Sequence, residues 1–166
     1  MKKEITGAKI ALLDFSLSRH KMKHGVHLIV SKPEELEAMR QREIEITREK
    51  VDLILKAGAN VVLTTGGIDD TCAKYLLDAG AMGVRRVDKK DLRQIAKATG
   101  GSIVLTLSDL ENKESFDPAA LGESEQVSQE YISDKELIFF RGTKNTATSS
   151  IILRGPNDYA LEEMDR

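Results

Sequence analysis

Residues 59–107, ANVVLTTGGIDDTCAKYLLDAGAMGVRRVDKKDLRQIAKATGGSIVLTL, carry the reading of the fold. Asn60–Thr64 is an apolar run of strand length, bounded by Gly66-Gly67. A helical pattern then runs over Ile68–Ala79 and stops at Gly80. Gly83–Val87 reads as a second strand. Asp88 can cap a helix over Lys89–Ala98, which Gly100-Gly101 ends. Ile103–Leu107 is a strand again. Strand, helix, strand, helix, strand predicts parallel crossovers and a sheet covered on both faces.

Towards the amino terminus the same grammar continues. Lys9–Phe15 (KIALLDF) suits a buried strand, Ser16–Gly25 a solvated loop, and Val26–Val30 another strand. Ser31-Lys-Pro-Glu34 has capping-box spacing with Pro33 in the first turn, and the helix it opens runs to Ala57, before Gly58. Leu36, Met39, Ile46, Leu53 and Ala57 recur at helical spacing, but Arg40–Lys50 is mostly charged. A helix spanning a domain keeps a continuous apolar stripe. Here the stripe is best from Val51 to Leu55, so the first half either projects beyond the core or forms a salt-bridged surface helix.

Beyond residue 107 the pattern changes. Ser108–Gly122 is loop-like, with Asp117-Pro118 as a turn signal. Val127–Ile132, Glu136–Phe140 and Ser149–Leu153 predict a smaller antiparallel layer, and a last helix begins near Asn157. The fold class is α/β: a parallel-strand core, a small antiparallel β layer and a projecting helical arm.

The chain has 166 residues, 40% of them apolar and 31% charged, with a net charge of −2. That is a globular composition with room for a sizeable core. The charge balance argues against nucleic acid or an anionic membrane as the dominant partner. No apolar run approaches the roughly 20 residues that cross a bilayer, and the charged start, Met1-Lys2-Lys3-Glu4, is not a signal peptide. A single cysteine, Cys72, excludes an internal disulfide and a polythiolate zinc site. A reducing, cytosolic setting is the default expectation. Both ends read as cut, as in an excised domain.

The chemistry-bearing candidates are few. Gly66–Asp70 follows a strand and opens a helix, an arrangement that binds phosphate elsewhere. It lacks the P-loop lysine and hydroxyl and any G-x-G-x-x-G, and Asp69 and Asp70 suit capping better. Asp14 with Thr64-Thr65 hints at an aspartate-nucleophile phosphatase, but position 16 is serine where a second aspartate is needed. His20, His24 and His27 are close in sequence, yet loop and strand would separate them. Cys72 reads as an inert core thiol. Arg85, Arg86, Lys89, Lys90, Arg93 and Lys97 make a basic cluster; Arg85 and Arg86 are expected on opposite faces of a strand, and no aromatic platform joins them for nucleic acid. No serine or cysteine triad is present.

Four stretches together resemble one family: KIALLDFSLSRHKMKHGV (9–26), ANVVLTTGGIDD (59–70), AGAMGVRRVDKKDLRQIAKATGG (79–101) and SSIILRGPNDYALEEMDR (149–166). They resemble group II chaperonins over essentially the whole chain. LLDFSL, TTGGIDD and ESFDPAALGESEQV are most similar to the alpha-type subunits of the eukaryotic cytosolic chaperonin, CCT or TRiC. The resemblance implies an apical, substrate-binding domain inserted in a larger ATPase subunit. ATP and Mg2+ would bind an equatorial domain outside this chain, leaving no cofactor, metal or catalytic residue here. It implies a helical protrusion at about 16–50 serving as a built-in lid. It also implies non-native clients such as actin and tubulin, and neighbouring subunits in a hetero-oligomeric double ring.

In that family client binding is associated with the helix after the GGIDD turn and with the neighbouring proximal loop, here Ile68–Ala79 and about Phe15–Lys23. Helical periodicity puts Ile68, Cys72, Tyr75, Leu76 and Ala79 on the buried side. Asp70, Ala73, Lys74, Leu77 and Asp78 then face outward, beside Ser16, Leu17, Ser18, Arg19, His20 and Lys21 of the loop. The mixture predicts selective, partly polar recognition through many weak contacts. Two other functions stay open: an α/β domain binding a phosphorylated small molecule at the Gly66-Gly67 helix start, and nucleic-acid binding by the 85–97 cluster.

Overall fold

The computed structural model describes residues 2–18, 33–107, 115–133, 135–145 and 148–166. One mixed sheet organises them, and its centre is β1 (Glu4–Leu13). On one edge β1 pairs parallel with β2 (Val61–Thr64), and β3 (Met82–Val84) lies parallel beyond β2. On the other edge, Leu12 and Leu13 pair parallel with β4 (Ile103–Val104). Lower on that edge, Glu4–Ile10 pair antiparallel with β5 (Gly122–Ile132). β6 (Lys135–Thr143) closes the far side as a hairpin with β5.

The expected parallel core and antiparallel part are therefore both present, and β1 joins them into a single sheet. This join was not legible locally. Residues 4–8 look polar, and the strand was expected to start only at Lys9. Ile5 and Ala8 are buried among exposed neighbours but three positions apart, so they break the period of two, and it is the pairing with β5 that makes the segment a strand.

Alternation along the strands sorts the core into two layers. Ala11, Leu13 and Val62 point to the side where Val51 and Ile54 of α1 (Pro33–Lys56) pack with Cys72 and Leu76 of α2 (Asp70–Asp78). Ile10, Leu12, Val61 and Leu63 point to the opposite side, against Leu92, Ile95 and Ala96 of α3 (Lys89–Thr99). The sheet is thus covered on both faces by helices, as a parallel core requires.

The helix ends follow local chemistry. Asp88 accepts from the Lys90 amide at the start of α3, and Gly100, at φ 72°, takes the left-handed stop. Asn157 accepts from Ala160 N at the start of α4 (Asp158–Asp165).

α1 runs for 24 residues, about 36 Å at 1.5 Å per residue. Among its described side chains, none before Thr47 is buried, whereas Val51 and Ile54 are fully so. The outer half instead carries Arg42 between Glu45 and Glu49 at 3.1 and 3.6 Å. Exposed pairs of this kind stabilise a helix only slightly.

Several expected elements are shorter or absent. β4 has two residues rather than five, and β3 ends at Val84. Arg85 and Arg86 therefore leave the strand instead of flanking it; both are exposed, and Arg86 takes a left-handed φ of 57°. Ser149–Leu153 is not a strand. Its apolar side chains are not buried, and Ile151 is 85% exposed. An apolar run is a strand only when a neighbour supplies the ladder. The strand expected at Val26–Val30 and the three histidines lie outside the described residues.

Candidate functional site

The surface singled out by sequence is built where β1 and β2 end side by side. β2 leads through Thr64–Asp69 into α2, while β1 leads through Asp14 and Phe15 into 16–18. The two segments are tied together. Leu17 bridges Ile68 in parallel, and Asp69 N donates to Leu17 O at 2.8 Å. Thr64 Oγ1 donates to Phe15 O. Gly66 permits this approach: a Cβ there would lie 2.6 Å from Ser16 Cα. Asp69 then caps α2, its carboxylate accepting from Asp70 N at 3.0 Å.

A second tie lies behind the turn. Asp14 accepts from Thr65 Oγ1 at 2.7 Å and from Lys89 Nζ at 3.0 Å, linking β1, β2 and α3. The Thr65 hydroxyl, and next the Lys89 ammonium, hold the Asp14 carboxyl below its ordinary range. Asp14 and Thr65 do meet, as a phosphatase would need. Their third partner is the Lys89 ammonium, which keeps the carboxylate ionised in an ion pair. Sequence reasoning passed over this clamp because Lys89 is 75 residues away from Asp14.

The outward face of α2 is largely the one expected. Asp70, Lys74, Leu77 and Asp78 are exposed, with Leu77 at 51%, while Cys72 and Leu76 are in the core. Three residues depart from the periodic assignment. Ala73 is half-buried and packs against the core cluster. Ala79, expected inside, is exposed: the helix ends at Asp78 and the chain turns before another helical position could point inward. Leu17, expected at the contact surface, is buried at 3% beneath Ile68, so it anchors the loop instead. Its neighbours Ser16 and Ser18 are exposed. Arg19, His20 and Lys21 lie outside the described residues. α1 adds a group that sequence reasoning missed: the Arg48 guanidinium sits 5.8 Å from the Tyr75 ring centroid, bordering the α2 surface.

Among the described residues, this surface carries one half-exposed leucine, Leu77, among charges, and the exposed Ser16 and Ser18. The Gly66-Gly67 turn does not fit a phosphate or nucleotide. Gly66 N already donates to Thr64 Oγ1, Asp69 N to Leu17 O and Asp70 N to Asp69, and two carboxylates stand at the helix start. Among the described residues, no three of His, Cys, Asp and Glu converge as metal ligands, and no helix is long and apolar enough to cross a membrane. Burial raises the Cys72 thiol to a pKa of about 11, with Asp69 adding to the effect.

Comparison with known proteins shows the class to which this fold belongs. The model of the TCP-1/cpn60 chaperonin family matches residues 1–166, and the chain belongs to that family. It is 56% identical over 166 residues to T-complex protein 1 subunit alpha of Schistosoma mansoni. It is 52% identical over 162 residues to the subunit of the same name from Arabidopsis thaliana. These matches cover 100% and 98% of this chain, but 30% of each relative. An open-state monomer of a group II chaperonin from Methanococcoides burtonii superposes with a TM-score of 0.72 at 25% identity, covering 99% of this chain and 33% of that one. The resemblance read from residues 9–26, 59–70, 79–101 and 149–166 is thus to the right family and to its alpha-type subunits.

Proposed function

We propose that this chain is the apical, client-binding part of a cytosolic chaperonin subunit, gripping non-native polypeptides through α2 and the adjoining 16–18 segment. The observation that carries the reading is the α2 face itself. Leu77 is half exposed between Lys74 and Asp78, while the next residue inward, Leu76, is wholly buried. An aliphatic group framed by charges suits transient, selective contact with a chain that exposes apolar and polar segments together.

The outer half of α1, with about 16–50 as a whole, serves as the lid. It reaches out from the core without a buried stripe of its own, which frees it to meet something other than the domain it grows from. ATP and Mg2+ act in a part of the subunit outside this chain, within a hetero-oligomeric double ring whose clients include actin- and tubulin-like chains. Rotation of the domain would withdraw the α2 surface from a bound client.

The test is capture of a chemically denatured, actin-like polypeptide by the chain, read by cross-linking. Leu77→Asp should weaken capture severalfold while leaving the fold intact, and the cross-links should map to 70–78 and 16–18. Capture unchanged by Leu77→Asp, or cross-links confined to other surfaces, would sink the assignment.

A further inference from the structure

The 85–97 cluster is not used by the α2 surface, and the structure gives it a shape that its sequence did not. Lys89, Arg93 and Lys97 recur every four residues of α3 and so stand in one row along the helix, with Lys90 beside them. All four are exposed, as are Arg85 and Arg86 just before the helix. The core side of α3, carrying Leu92, Ile95, Ala96 and Thr99, faces the sheet from the opposite side to α1 and α2. The sheet therefore separates this row from Leu77.

The row is poorly neutralised. Positions three and four residues from Lys90, Arg93 and Lys97 hold no acidic side chain, so like charges stack upon one another at i,i+4. That arrangement destabilises a helix. Among the described residues, the ion-pair partner in the cluster is Asp14, on Lys89 at 3.0 Å. Asp88 is engaged at the α3 cap, and Asp91 lies across the helix from the row. Arg86 is also held in the left-handed region, its amide bonded to Gly66 O at 2.9 Å. A cost to the helix without local compensation marks a place shaped for something other than folding.

We infer that the row Lys89, Arg93 and Lys97, with Lys90, Arg85 and Arg86, binds an extended acidic segment of a non-native polypeptide. The spacing supports that occupant. Four helical residues rise about 6 Å, and side chains on one face of an extended chain recur every ~6.6 Å. Carboxylates at alternate positions would thus meet successive cations of the row. Nucleic acid fits less well: among the described residues the strongly exposed aromatic rings, Tyr131 and Tyr159, belong to β5 and α4, and α3 itself carries none for bases to stack on. For the source of its occupant the inference rests on the client-binding reading; the surface is separate from α2.

The probe is a labelled twelve-residue peptide with glutamate at every second position and serine between, followed by fluorescence anisotropy with the chain. It has no apolar side chain for Leu77 to hold, so its binding is judged apart from the α2 surface. Saturable binding that weakens with salt is expected. The pair Arg93→Glu and Lys97→Glu should weaken it at least tenfold, and Leu77→Asp should leave it unchanged. Arg93→Glu alone creates a Glu–Lys pair with Lys97 in the order helices favour, so it folds and should already weaken binding severalfold. Absence of salt-dependent binding, binding indifferent to these reversals, or tighter binding of an oligothymidylate through the same residues would overturn the inference.

Discussion

Leu76 and Leu77 are adjacent in sequence, chemically identical and opposite in placement, so truncating each to alanine isolates the orientation of α2. Leu76 is 0% exposed and belongs to the cluster formed with Val51, Ile54, Cys72 and Val62. Removing its isopropyl group forfeits the transfer free energy and leaves a cavity that β2 and α1 can only partly close. Leu76→Ala should therefore cost about 3 kcal/mol, within the range for buried leucines. For a chain of this size that lowers Tm by roughly 6–12 °C. Leu77 keeps half its surface in water and leaves no enclosed void, so Leu77→Ala should cost about 0.5–1 kcal/mol. Urea unfolding followed by far-UV circular dichroism measures both, with m held as a check that the unfolded states match. Equal losses, or a larger loss for Leu77, would mean that α2 is rotated from the orientation described. The client surface assigned to it would then be wrong.

Two further outcomes follow from the chemistry of the site. Asp14→Asn should lower stability at neutral pH, because the Asp14 carboxylate is stabilised by Thr65 and Lys89. Its folded pKa is depressed, so this contribution is present above the unfolded value of 3.8 and lost as pH falls through the lower folded one. The stability gap between wild type and variant should thus close in acid, as pH-dependent urea titrations would show; a gap that widens in acid would contradict the clamp. Cys72, buried and with its pKa raised to about 11, should resist iodoacetamide at pH 8 in the native chain and react promptly in denaturant. Prompt native labelling would place the thiol at the surface.

How much was legible depended on whether a feature was local. The caps at Asp69 and Asp88, the stop at Gly100, the start of the last helix near Asn157 and the extent of α1 could be read because each depends on a few neighbouring residues. The failures share a different cause. Leu17 looked like a loop residue until Ile68, 51 positions on, was found to cover it. Ala73 and Ala79 were misassigned because periodicity describes an isolated ideal helix, whereas the core cluster reaches Ala73 and the last turn of α2 stops short at Asp78. Ser149–Leu153 has the composition of a strand but no described neighbour to pair with. The proposed client surface comes from family resemblance, and burial sorted its residues into exposed and buried ones; no pattern within 68–79 alone announces binding.

Apolar runs of strand and helix length, alternating along residues 59–107, were enough to dictate an α/β sheet with helices on both faces, since backbone groups inside a core must pair and crossovers have one favoured hand. The family was likewise written in the chain. Long-range pairing settled the remainder: that β5 and β6 extend the same sheet through the polar-looking start of β1, that Asp14 meets Lys89, and that the cations of α3 form one row on the far side from Leu77. Contacts between distant residues leave no periodic trace, because each partner satisfies its local rules equally well without the other.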